Sequence, residues 1–258
     1  LIGDVISVTV DSHLLLSSSR SVLLPFSRSR LHLTHEYVDS LTSSKTSNPS
    51  YHTSFNTFST QTSVEGATLR LNRSGGTTLP VTNNMSVSNG TLKISTNQAL
   101  NDLSLTGGTL LVDAGATLTI NGTMTVSGGT ITNNGTIAYG ASGALVYGSS
   151  NRTVGAEWPN SNGPLNVTIG SGGVTLGVER TISSTGKLTL NGTFATNGNL
   201  TLASDANGTA VVIGGTNSDL TGNVTVQRFL PWSGTNHNGF RFVGHPLRSN
   251  PVLNTVIN

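Results

Sequence analysis

Residues 102–132, DLSLTGGTLLVDAGATLTINGTMTVSGGTIT, alternate apolar with small polar residues and break every few positions at glycine or Asn-Gly. Leu118, Ile120, Met124 and Val126 take every second place, with a turn between the two pairs, and Thr117, Thr119, Thr123 and Thr125 take the places between. A period of two is that of a β-strand with one face buried and the other wet. Thr and Val suit it because a branched Cβ packs well on a pleated surface. The interruptions Gly107-Gly108, Asn121-Gly122, Gly128-Gly129 and Asn133-Asn134-Gly135 tolerate positive φ and mark tight corners.

The units also resemble one another. Met85–Leu92 (MSVSNGTL), Leu103–Leu110 (LSLTGGTL) and Met124–Ile131 (MTVSGGTI) align residue for residue, with starts 18 and then 21 residues apart. Lys187–Phe194 (KLTLNGTF) echoes Thr117–Met124 (TLTINGTM). A period near 20 with strand-turn-strand content predicts a solenoid, because one rung cannot bury its apolar face alone whereas stacked rungs share a core. Asn-Gly between alternating runs is also a hairpin signal, so a sandwich or barrel of hairpins is the competing reading. Recurrence of whole units, rather than of turns alone, favours the solenoid. The expected fold is all-β, a right-handed parallel β-helix or β-solenoid. About eight rungs at ~4.8 Å each would make a rod ~40 Å long.

Three regions are expected. Residues 1–62 are Ser-rich, hold His13, His32, His35 and His52, and contain only Gly3 among glycines. They read as a disordered leader, with one short helix conceivable over Leu31–Leu41. Residues 63–228 are the repeat domain, with first strands near Thr68–Leu71 and Thr78–Val81. Pro80 places the latter at an edge or cap, because proline cannot donate a ladder bond. Residues 229–258, with Phe229, Trp232, Phe240 and Phe242, are a C-terminal cap or the start of a next module. Within the repeats, Asn151–Pro164 (NRTVGAEWPNSNGP) breaks the pattern and is expected to project as a loop.

Charged residues make up only 9% of the chain and the net charge is +2 without clustering in the repeats, which points away from a nucleic-acid partner. There is no cysteine, hence no disulfide or thiolate metal site. No run of 18 apolar residues exists to span a membrane as a helix. His32, His35 and Glu36 lack a fourth partner, so no metal site is expected, and no cofactor motif is present. The acids of the repeats, Glu65, Asp102, Asp113, Glu157, Glu179, Asp205 and Asp219, are spread almost one per rung. Paired carboxylates are what polysaccharide hydrolysis needs, so no catalytic residue is assigned and an enzyme is not expected. Candidate ligand-binding residues are Trp158, as a flank-packing or sugar-stacking ring, and the outward Thr117, Thr119, Thr123 and Thr125. Regular Thr rows, extended by Thr130 and Thr132, also admit ice binding.

Trp158–Ile169 (WPNSNGPLNVTI), Gly173–Leu176 (GVTL) and Gly186–Gly192 (GKLTLNG) resemble the repeats of large surface proteins of bacteria that use type IX secretion. Gly222–Pro231 (GNVTVQRFLP) and Gly239–Pro246 (GFRFVGHP) resemble the junction that follows those repeats. The resemblance covers roughly residues 84–248. It implies a secreted or cell-surface, modular, adhesin-like protein, and the partners expected on that reading are surface glycans or other cells. It also implies further modules beside this segment. The chain begins at Leu1 and stops at Asn258 without a closing motif, in keeping with a piece of a longer product.

Overall fold

A computed structural model of the protein describes residues 14–16, 29–33, 61–72, 79–215 and 218–229. Every regular element among them is a β-strand, and the strands wind into a solenoid of about 7 turns. Each complete coil has three sides. The first side is one continuous parallel ladder through Asn84–Ile94, Leu103–Leu105, Thr123–Val126, Ala144–Tyr147, Asn166–Ile169, Lys187–Leu190 and Val211–Gly214. The second side carries Thr109–Val112 and Thr130–Asn133, which continue the far half of Asn84–Ile94, and then Arg152–Thr153, Val174–Thr175, Thr193–Ala195 and Asp219–Thr221. The third side carries Gln98–Leu100, Thr117–Ile120 and Thr136–Tyr139, and then Arg180–Ile182, Leu200–Leu202 and Val224–Val226.

The sequence repeats are the coil register itself. Met85 pairs with Leu103 and Leu103 with Met124, so the 18- and 21-residue offsets are one coil each. Every second side chain of these strands points into a core that holds Leu118, Ile120, Met124 and Val126, and Thr117, Thr119, Thr123 and Thr125 point outward, half-exposed. About seven turns, rather than eight, fit into the chain because later coils lengthen. The step from Lys187 to its partner Val211 accommodates a small antiparallel hairpin of Ser204–Asp205 with Gly208–Thr209.

Corners between the first and second sides stack backbone on backbone. Gly108 has a φ of +65°, and a Cβ there would lie 2.4 Å from the Gly90 carbonyl oxygen of the coil before. Both the left-handed backbone and the closeness of the neighbouring coil exclude a side chain. Gly108→Ala should therefore cost more than about 1 kcal/mol, read as a lowered midpoint in urea, whereas Ala substitution at Gly115, whose Cβ meets nothing within 4 Å, should cost only its φ strain.

At the N-terminal end, Gln61–Leu71 pairs in parallel with Asn84–Ile94 and antiparallel with Ser29–Leu33. Leu31–Leu33 are thus in a strand and not in the helix expected over Leu31–Leu41, whose remaining residues lie outside those described. Leu79–Val81 form a turn instead of an edge strand, with the Asn83 amide donating to the Pro80 carbonyl at 3.0 Å. Proline sits there because a turn asks for no amide from it. Most of the leader and most of the 229–258 segment lie outside the described residues, including His35, Glu36, Trp232, Phe240 and Phe242.

Candidate functional site

The four outward threonines do not share a surface. Asn121-Gly122 turns the chain from the third side to the first, so Thr117 and Thr119 lie on one side of the rod and Thr123 and Thr125 on another. The second pair borders a shallow depression of about 350 Å³ on the first side, lined with Asn84, Ser86, Asp102, Ser104, Thr123 and Thr125. The depression exists because the outward positions in adjacent coils, Ser86, Ser104 and Thr125, are in register and small. Asp102 forms its rim. Its Oδ1 accepts from the Thr123 amide at 2.7 Å and its Oδ2 from Asn101 Nδ2 at 3.2 Å. Asn101 Nδ2 also donates to Asn84 Oδ1 at 2.9 Å, so the carboxylate is held at a corner by the coils on either side. The surface offers hydroxyls, amides and one oriented carboxylate.

An uninterrupted threonine column lies elsewhere. Thr68, Thr91, Thr109 and Thr130 are register partners on the second side. In the sequence, the last three each directly follow a corner glycine (Gly90, Gly108, Gly129), which is the signal that marks them. The adjacent outward column is Arg70, Lys93, Leu111 and Thr132, so the side is not uniformly threonine. Lys93 pairs with Asp113 at 3.3 Å, and Asp113 also accepts from Ser95 Oγ at 2.7 Å. The Ser95 hydroxyl, with Lys93 adding to it, holds the Asp113 carboxyl below the usual carboxylate range.

Residues 151–164 do not simply project: after the second-side strand Arg152–Thr153, residues 154–164 cover the third side of their coil without a strand, burying Val154, Glu157 and Trp158 while Gly155 and residues 160–162 stay exposed. Trp158 is 1% exposed and its ring stacks on Phe194 with centroids 6.4 Å apart, so no sugar can reach it in this arrangement. Glu157, also 1% exposed, accepts from Tyr147 Oη at 3.2 Å, Arg152 Nε at 3.3 Å and the Gly155 amide at 3.0 Å. Tyr139 Oη donates to the Glu157 carbonyl at 2.6 Å. Arg180 occupies an inward position in the column of Leu200 and Val224, and donates to Asn160 Oδ1 at 2.9 Å and the Gly155 carbonyl at 3.0 Å. Sequence reading missed this cluster. Its only sequence signal is an arginine at an inward strand position, at Arg152 and again at Arg180.

Burial first, and then the Glu157 charge, push the Tyr139 and Tyr147 phenols well above their ordinary value. A raised folded-state pKa means that stability is fully present below the unfolded value of about 10 and falls as pH rises through it. An alkaline titration followed by phenolate absorbance should show a late phase that appears only with unfolding, and Tyr147→Phe should shrink that phase.

Four carboxylates of the described coils, Asp102, Asp113, Glu157 and Asp205, are held by separate sets of donors. Asp102 and Asp113 engage the donors above, Glu157 is internal, and Asp205 accepts from the Asn207 amide at 2.7 Å in the hairpin turn. Among the described residues, no three His, Cys, Asp or Glu side chains gather to hold a metal ion. No helix there is long and apolar enough to cross a membrane.

The chain matches no protein-family model, no curated protein and no solved structure. The solenoid is therefore established from its own ladder and core, and function must be argued from its surface.

Proposed function

We propose that this chain is a non-catalytic structural and adhesive segment of a secreted or cell-surface bacterial protein, a rigid spacer whose first side binds surface glycans weakly. The observation that carries the reading is the depression beside Asp102, where small hydroxyls and amides from three consecutive coils face water in register. Such a surface can exchange hydrogen bonds with sugar hydroxyls but encloses little, so affinity per site is low and repeated copies give avidity. The resemblance to type IX-secreted surface proteins supports the same reading. Its LNVTI, GVTL and KLTL elements fall on the strands Asn166–Ile169, Val174–Thr175 and Lys187–Leu190, which make one coil and the start of the next. Polysaccharide hydrolysis or elimination is the rival, and it would need two carboxylates acting across one groove. Ice binding is favoured by the column through Thr109 but opposed by Arg70 and Lys93 beside it.

Affinity electrophoresis against a panel of polysaccharides, with reducing ends assayed in the same samples, tests the proposal. Retardation without new ends is expected. Ser104→Phe, which fills the depression from an outward position, should abolish most of that retardation, and Thr168→Phe, outward on the same side beyond the depression, should not. New reducing ends would refute the non-catalytic reading.

A further inference from the structure

Only the first side of the solenoid has an unbroken ladder. On the second side the ladder ends at Thr130–Asn133 and restarts at Arg152–Thr153, and on the third it ends at Thr136–Tyr139 and restarts at Arg180–Ile182. Both breaks fall at the same level of the rod, and residues 154–164 cover the third side there. Its contacts reach both ways. Toward the preceding coils, the Tyr139 amide donates to the Asn162 carbonyl at 2.8 Å, Ser150 Oγ to the Ser127 carbonyl at 2.5 Å, and Arg152 to the Gly129 carbonyl at 3.2 Å. Toward the following coils, Arg180 holds Gly155 and Asn160, and Trp158 stacks on Phe194. Arg180 Nε is buried there without a hydrogen-bond partner.

We propose that the rod consists of two cooperative units, residues 84–139 and 166–226, and that the internal cluster centred on Glu157 is the clasp that makes them unfold as one. Strand ladders transmit cooperativity from coil to coil in a solenoid, as nearest-neighbour coupling. Where two of three ladders stop, that coupling passes through the one remaining ladder and through side chains. Glu157 is the side chain on which Tyr147, Arg152 and its own loop backbone converge. A rod with a built-in joint can part or bend at one level under load while each unit keeps its core.

The test is hydrogen exchange of the full chain, read by mass spectrometry across a denaturant series. In the unmodified protein, peptides from 84–139 and 166–226 should lose protection at one common midpoint. In Glu157→Gln the two midpoints should separate, with the peptides of one unit still protected where those of the other have exchanged. Tyr139→Phe, a milder change that removes only the hydroxyl bond to the Glu157 carbonyl, should separate them in the same sense by less, and it serves if Glu157→Gln does not fold. Coincident loss in the variants, or two midpoints already in the unmodified protein, would overturn the clasp.

Discussion

Ile120→Asp should abolish cooperative folding of the repeat domain, while Thr119→Asp, one residue away, should leave it intact. Ile120 is fully buried on the third side, in register with Leu100 and Tyr139 of the coils before and after it. An aspartate there would enter the hydrophobic core, and burying an unpaired carboxylate costs at least several kcal/mol. Since a whole domain is stable by only about 5–15 kcal/mol, most of that reserve is consumed. Thr119 points outward between Ala99 and Ala138, where a carboxylate stays hydrated and loses only strand propensity, below about 1 kcal/mol. Circular dichroism through a thermal ramp reads both. Intact folding of the Ile120 variant with collapse of the Thr119 variant would mean that the strand faces are reversed.

Trp158→Ala should destabilise the protein by about 3–5 kcal/mol and should leave glycan retardation of the folded molecule unchanged. The indole fills the interior at the level where the third side has no strand, against Phe194 of a later coil. Truncation leaves a cavity that the Glu157 network is too constrained to close. A ring that served as a sugar platform would behave in the opposite way, with stability kept and binding lost. A urea midpoint and one affinity gel distinguish the two roles.

The strand faces and the coil period were legible because each is written locally. Alternation assigns Leu118 and Ile120 inward and Thr117 and Thr119 outward, and the aligned MSVSNGTL, LSLTGGTL and MTVSGGTI units are register partners. The hairpin alternative fails on the same residues. A two-residue Asn121-Gly122 hairpin would set Thr119 opposite Met124, placing unlike side chains on one face. In the coil, Met124 instead meets Leu103 and Leu145.

Less legible was which corner a unit turns. Thr117–Met124 spans the corner from the third side to the first, while its echo Lys187–Phe194 spans the corner from the first to the second. A strand-Asn-Gly-strand unit specifies a bend but not its place in the triangle. That is also why the four candidate threonines, contiguous in sequence, divide between two surfaces. Residues 151–164 have the composition of a surface loop, and Arg180, which bonds Asn160 and the Gly155 carbonyl, is a partner remote in sequence whose contact with them only the coiling reveals. The depression was likewise invisible, since it arises from the smallness of Ser86, Ser104 and Thr125 once the coils are stacked.

Stacking of coils underlies every one of these statements, and a chain with no cysteine makes it simple to probe. Ser104 and Thr125 are outward register partners in adjacent coils. Parallel neighbours lie ~4.8 Å apart, within the range of about 4.4–6.8 Å between Cα atoms that a disulfide accepts. The double variant Ser104→Cys/Thr125→Cys, mildly oxidised and read by non-reducing peptide mapping, should close its intramolecular bridge nearly completely. Thr119→Cys/Met124→Cys, paired only in a hairpin, should stay reduced. A bridge in the second variant and none in the first would contradict the solenoid.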